Sequence, residues 1–246
     1  MDQIVTDFFN QNQHIPHNND VLEIPNEFLN AETDEDVKKF FNWIRHNSRC
    51  KSLRLAHYDV SELKEELQAR VSLAIAHRGH PGWRSITLYG YSSIMTNSYE
   101  YYKQKGMVTD TDTTDWTDIS RFFPKTVQWI KQHSPLKEYA RIRLMILDPG
   151  GSSSPHRDYD QGQLLCGPVN VAFVNPQGAE FALENGGIVP WEEGDIRSMD
   201  LGSYHCIRNL GNEPRIHLII TPSREDWDIA AMRAACKSFV EYKREK

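Results

Sequence analysis

His156 and Asp158 stand two positions apart in the stretch Pro155-His156-Arg157-Asp158. A second histidine, His205, follows 49 residues later, and Arg215 lies ten residues beyond it. Two imidazoles and one carboxylate on one face of a metal leave the opposite face open, which is the donor set of a non-haem iron(II) site. Arg215 adds a planar fork suited to a remote carboxylate. The order His-x-Asp, distant His, then Arg is therefore what an open iron(II) site with a bound 2-oxoacid needs. Zinc stays the rival metal, since two His and one carboxylate can also hold it with a position open. No HExxH helix is present, and an arginine aimed at a carboxylate suits a 2-oxoacid better.

The positioning elements follow from local pattern. On an extended segment, residues i and i+2 share a face, so His156 and Asp158 can leave one strand end together. His205 must then come from a facing strand. In RIHLIIT, alternation puts Arg215, His217 and Ile219 on one face, and Ile216, Leu218 and Ile220 on the other. Arg143 shares a face with Arg141 and Met145 on the strand before the His-x-Asp. Strands are expected over 84–91, 141–147, 169–175, 180–183, 195–200, 204–208 and 215–221. Pro-Gly-Gly, Asn-Pro-Gln-Gly and Asn-Gly-Gly turns punctuate them. Many short strands with turn signals between them indicate a β-sandwich or jelly roll. No βαβ alternation exists to build a Rossmann sheet.

Helices flank this β-rich region. Thr33 and Asp36 form a capping signal ahead of Val37, Phe40, Phe41 and Ile44. A second helix is expected after Ser61, lined by Leu63, Leu67, Val71, Ala74 and Ile75 and stopped by Gly79 and Pro81. Pro124 opens a short helix through His133. Ser223 with Asp226 caps a closing helix that carries Trp227, Met232 and Phe239. The first thirty residues, polar and Asn-rich, read as an irregular lead-in. Residues 96–118 read as a long loop that could cover a pocket.

The 246-residue chain, with 39% hydrophobic residues and a net charge of −6, suits a soluble protein of one domain with additions. We expect a helical N-terminal extension over 1–80 packed on a β-rich domain over 81–246, as one compact unit. No basic stripe suggests general nucleic-acid binding. Four cysteines, Cys50, Cys166, Cys206 and Cys236, match no zinc or disulfide framework. With no signal-like N-terminus and no membrane-length apolar run, a cytoplasmic protein is expected.

The segments RIRLMILDPGGSSSPHRD, VNVAFVNPQGAEF and WEEGDIRSMDLGSYHCIRNLGNEPRIHLIIT resemble the Fe(II)- and 2-oxoglutarate-dependent oxygenases. Within them, the chain is most similar to the aspartyl/asparaginyl β-hydroxylase-like branch. The resemblance covers about a third of the chain. It implies an α+β fold with a mainly β core, a double-stranded β-helix of jelly-roll or cupin-like type, with N-terminal helices and a C-terminal helix. It implies iron ligation by His156, Asp158 and His205, and 2-oxoglutarate held by Arg215, with Asn170 touching that cosubstrate. It also implies a dioxygenase that uses O2, hydroxylates an amino acid, small molecule or protein side chain, and releases succinate and CO2. Relatives in this branch with glycine at the carboxylate position act on epidermal-growth-factor-like domains. Asp158 is present here, which points to another substrate. Arg143, Trp83 and Arg84, with Tyr89, are candidate substrate contacts. His217 reads as a hydrogen-bonded core histidine, and Trp191 as a residue packing a turn. The competing readings are a non-catalytic cupin-like metal-binding module or sensor, and a zinc-dependent hydrolase or lyase.

Overall fold

The computed structural model describes residues 2–17, 23–76, 82–97, 99–109, 112–160, 164–223 and 227–244. In chain order the helices are α1 (Gln3–Asn12), α2 (Asp34–Asn47), α3 (Ser61–Gln68), α4 (Tyr99–Gln104), α5 (Pro124–His133) and α6 (Ile229–Arg244). The strands are β1 (Ser52–His57), β2 (Ile75–Ala76), β3 (Trp83–Gly90), β4 (Asp115–Trp116), β5 (Tyr139–Leu147) and β6 (Val169–Val174). They continue as β7 (Ala179–Leu183), β8 (Gly187–Ile188), β9 (Asp195–Met199), β10 (His205–Asn209) and β11 (Arg215–Pro222). The six strands expected from residue 141 onward all form, with bounds shifted by at most two residues.

The strands make two antiparallel sheets. The larger runs β1-β9-β6-β11-β5-β3-β2, with β4 on β3; the smaller runs β10-β7-β8. Isolated bridges at Ser152↔Arg208 and His156↔His205 zip the segment before Asp158 onto the free edge of β10. Between the sheets lie Trp83, Met145 and Leu147 from the large one, and Phe181, Leu183 and Ile207 from the small one. This is the α+β, mainly β, double-stranded β-helix that the turn-punctuated strands imply.

Helices close the outer faces. α2, α3, α5 and α6 bury Phe40, Phe41, Leu67, Ile130 and Phe239 in the same cluster as Ile216, Leu218 and Ile220 of β11. Thr33 caps α2 as expected, its hydroxyl accepting from Asp36 N at 3.1 Å. On the small sheet, Val5, Phe8 and Phe9 of α1 pack against Ala182 and Cys206. Burying each such side chain stabilises the fold by roughly 1.5–3 kcal/mol.

Several local expectations change. The supposed irregular lead-in contains α1, capped by Asp2, because Val5, Phe8 and Phe9 share one face at i, i+3 and i+4. The second helix stops at Gln68, followed by a 3-10 turn over Val71–Leu73. Ile75 and Ala76 instead pair with Ser85 and Arg84, since a β-branched residue beside an open strand edge gains more as strand than as helix. β1, which was not expected, pairs with β9 and makes residues 52–57 an edge of the main sheet. The long loop holds α4 and β4, and the strand pairs with Tyr89 and Gly90. Gly79, Pro81, Asp226 and parts of the 96–118 segment lie outside the described residues.

The Pro-Gly-Gly turn sets where the His-x-Asp segment begins. Gly82 has φ +79, and a Cβ there would lie 2.8 Å from Gly151 Cα. A side chain at Gly151 would meet Leu147 Cδ1 at 2.5 Å. Two glycines thus let the start of β3 touch the turn after β5, so the chain can leave β5 and cross at once to β10.

Candidate metal and cosubstrate site

His156 and His205 face each other across the bridge between the two segments. His156 N donates to His205 O at 3.0 Å, and His205 N to His156 O at 2.8 Å. Their ring centroids lie 4.4 Å apart. Each Nδ1 contacts a backbone carbonyl two residues back, Ser154 O at 2.8 Å and Ser203 O at 3.1 Å. An Nδ1–H donated there makes each Nε2 the acceptor nitrogen, the tautomer that a metal-binding histidine needs. Both Nε2 atoms face Asp158 Oδ1, at 3.6 and 3.9 Å. Burial pushes the His205 pKa down, against the opposing pull of Asp158, and so favours the neutral ring. Phe181 stacks on His205 at 5.4 Å and holds the ring plane. One donor from each of the three residues lies within 4.8 Å of the others. Two imidazoles and a carboxylate converging from one side fit a divalent metal with open positions.

A second group, His57, Glu192 and Asp195, converges equally closely. There Asp195 already accepts from Arg197 Nε at 3.0 Å, and Arg54 lies 3.4 Å from Glu192. Guanidinium groups take the place that a cation would need, so this is an ion-pair network.

Behind the triad lies a cavity of about 280 Å³ between the sheets. Its lining includes His156, Asp158, His205, Asn170, Arg215 and His217. Arg215 is 3% exposed and has no carboxylate in ion-pair range among the described residues. Its Nη2 donates to His217 Nδ1 at 2.8 Å, while its Nε is buried without a partner. Burial alone pushes its pKa down to about 9. Asn170 Nδ2 is likewise buried and unpartnered. The strand alternation that placed Arg215 and Asn170 inward is thus what the structure brings together with the triad.

His217 is a buried neutral relay. Its pKa lies well below the usual imidazole value, through burial and then the Arg215 charge. Its Nε2 donates to Asn175 Oδ1 at 3.1 Å, which leaves Nδ1 to accept from Arg215. Trp191 packs edge-on against the His217 ring at 4.8 Å. Trp191 therefore backs the Arg215–His217 pair, although only a turn-packing role was legible from PWEEGD. Asn175 was read as a strand end, and nothing local marks it as the partner of a histidine on β11.

The other candidates divide. Trp83 and Arg143 line the cavity. Arg84 does not: neighbouring residues on a strand face opposite ways, and Arg84 points out of the barrel. Its Nε donates to Asp148 Oδ2 at 2.8 Å and its Nη1 to Val71 O at 2.8 Å. Tyr89 lines a separate outer groove, its hydroxyl donating to Thr114 O at 3.1 Å.

No curated protein matches the chain. Among solved structures, it is similar to a 2OG-Fe(II) oxygenase family oxidoreductase from Burkholderia pseudomallei, at 11% identity and TM-score 0.41, over 75% of this chain and 88% of that one. It is also similar to a Pseudomonas putida prolyl-4-hydroxylase, at 13% identity and TM-score 0.42, over 76% and 99% of the two chains. A viral collagen prolyl hydroxylase from Paramecium bursaria Chlorella virus-1 matches at 12% identity and TM-score 0.33, over 64% and 88%. The family model described as aspartyl/asparaginyl beta-hydroxylase matches residues 18–225, and the chain belongs to that family of 2-oxoglutarate-dependent hydroxylases.

Proposed function

We propose that His156, Asp158 and His205 hold Fe(II), and that Arg215, assisted by Asn170, holds the far carboxylate of 2-oxoglutarate. The buried, carboxylate-free guanidinium of Arg215 carries this reading. An uncompensated buried charge costs several kcal/mol, roughly, and the fold tolerates it where a ligand supplies the counter-charge. The cavity, at about 280 Å³, suits a small dicarboxylate rather than a large ligand. Bound Fe(II) would supply the centre at which O2 and 2-oxoglutarate yield succinate, CO2 and a hydroxylated product.

The chain's own contribution is positioning. His217 holds the Arg215 fork in one orientation, and the apolar walls from Trp83, Phe181, Met199 and Ile207 limit water. The backbone carbonyls of Ser154 and Ser203 fix the histidine tautomers. Residues 1–80 would support the barrel of 81–246 with their helices and lend it β1 and β2 as strands of the main sheet, the whole forming one unit. No helix among the described residues is long and apolar enough to cross a membrane. We read the protein as cytoplasmic, acting on an amino acid, another small molecule or a protein side chain.

The test is anaerobic loading with Fe(II), then aerobic conversion of 2-oxoglutarate to succinate, followed by NMR with and without pooled amino acids and peptides. Wild type should form succinate, Asp158→Ala none, and Arg215→Ala much less. Absence of both 2-oxoglutarate binding and succinate in wild type would sink the reading.

A further inference from the structure

His205 is the first residue of β10, and the chain reaches it by crossing from the large sheet to the small one. β9 ends at Met199, so residues 200–204 make that crossing outside either ladder. The His205 ring takes its tautomer from this link, since its Nδ1 contacts Ser203 O. His156 is placed differently. Ser154, whose carbonyl meets His156 Nδ1, lies between the Ser152↔Arg208 and His156↔His205 bridges and is held by them. Ser203 lies in no such ladder, so another contact must aim its carbonyl.

Asp200 stitches the link from within. Its Oδ1 accepts from Gly202 N at 3.2 Å, its Oδ2 from Ser203 Oγ at 2.9 Å, and its backbone carbonyl from Ser203 N at 3.2 Å. The carboxylate is only 10% exposed, and Lys51 is the one cation in ion-pair range of it among the described residues. Lys51 Nζ donates to Asp200 Oδ2 and to Ser203 Oγ, each at 2.7 Å, which closes a ring of three polar groups. Asp200 N also donates to Lys51 O at 2.9 Å, carrying the β1–β9 pairing one residue beyond Ser52↔Met199. The lysine stem lies on the turn between β7 and β8, where a Cβ at Gly186 would come within 2.7 Å of Lys51 Cβ. Lys51 thus touches the edge of the large sheet, the small sheet and the link between them. An ammonium suits this place because it donates in several directions from one point. Without it, Asp200 would be a mostly buried carboxylate lacking a counter-charge, and the link would have to open to water.

We propose that Lys51 is a positioning residue for the metal site. Through Asp200 and the Ser203 hydroxyl it fixes the Ser203 carbonyl, and so keeps His205 in the tautomer and orientation that present Nε2 to a metal. This rests on the reading of His156, Asp158 and His205 as a metal site. It goes beyond that reading by giving the N-terminal segment a part in the site itself, through a residue 154 positions before the ligand it places.

The deciding experiment uses the full chain, freed of metal, with Co(II) as the probe because its visible absorption reports coordination geometry. Asp158→Ala beside wild type shows whether the ion binds at the triad. Lys51→Met keeps most of the stem and removes the ammonium. It should weaken Co(II) binding by ~10–100-fold, the range expected when an outer partner of a metal-binding histidine is lost. Nitrogen NMR of the histidine rings in the metal-free protein gives the second readout, with the His205 signals identified by their loss in His205→Gln. Wild type should show His205 protonated at Nδ1, and Lys51→Met a mixture of the two tautomers. The proposal needs both changes. A folded Lys51→Met with wild-type Co(II) affinity or a wild-type His205 tautomer overturns it, even where its urea midpoint falls, since a merely structural lysine would behave so. Should Lys51→Met not fold, Ser203→Ala decides, because it keeps the Lys51–Asp200 pair and removes only the hydroxyl. The same two changes in Ser203→Ala, in smaller measure, support the proposal, and absence of either overturns it. Wild type that binds Co(II) no better than Asp158→Ala overturns the metal reading and this proposal together.

Discussion

The first half of β11 buries both of its faces, and they are chemically opposite. Ile216, Leu218 and Ile220 point outward into the helical layer at 2%, 0% and 0% exposure. Arg215 and His217 point inward at 3% and 1%. The outer face is complete, since each side chain is packed by others from β5, β6 and the helices. The inner face is not: Arg215 Nε and Asn170 Nδ2 have no partner. Burial therefore does not separate scaffold from site in this molecule. What separates them is whether the buried atoms are satisfied by the chain itself.

The sharpest way to break that contrast is at the outer face. Phe173 is fully buried and packs edge-on to Trp129 at 5.2 Å. Phe173→Ala should lower stability by about 3–5 kcal/mol in urea unfolding, with 2-oxoglutarate affinity of the folded protein unchanged. A large affinity loss in conditions where the variant is still folded would show that the two faces are not separable. At the inner face, Asp158→Ala should cut Fe(II) affinity by ~100-fold or more while leaving metal-free stability nearly intact, because its carboxylate is 40% exposed. Metal titration and urea unfolding check the two halves of that statement.

His217 lies between these extremes. Removing the acceptor for Arg215 in His217→Phe should weaken 2-oxoglutarate binding by ~10-fold, measured by calorimetry, with little change in Fe(II) affinity. The same residue predicts a pH response. In the unfolded chain an imidazole takes its proton near about 6.5, whereas folded His217 resists it. The unfolded state then binds more protons, so stability is full above that pH and declines as pH falls through it. Urea midpoints between pH 7.5 and 5.5 (roughly one unit either side of the unfolded value) should fall in wild type and fall less in His217→Phe. Equal slopes would remove His217 from the account. The smallest effect belongs to Arg84, whose partly buried pair with Asp148 is outside the cavity. Arg84→Ala should cost under ~1 kcal/mol and leave every ligand affinity unchanged.

Much of the barrel was legible because its strands are short, apolar and bounded by Gly, Pro and Asn, and the shared inward face of Arg215 and His217 was legible because strand alternation has a period of two. Trp83 inside and Arg84 outside obey that same alternation, which separates two neighbours that residue type alone would group. α1 was hidden because only Val5, Phe8 and Phe9 carry its apolar face, amid Asn and Gln. β1 and β2 were hidden because a short edge strand takes its definition from the strand it joins, here β9 and β3. The continuation of α3 past Gln68 looked periodic, yet Ile75 found a better partner across β3.

The sequence by itself determined the donor types, their order, and which face of each strand they occupy, since these depend on residue identity and on the geometry of single strands. Only the tertiary structure decided what each group meets. It set His156 against His205 across a two-residue bridge, turned His217 into the acceptor for Arg215, and left Arg143 Nε buried without a partner. These are pairings between segments far apart in the chain. Their energies depend on burial and on which polar atoms are satisfied, and both quantities exist only once the sheets have closed on each other.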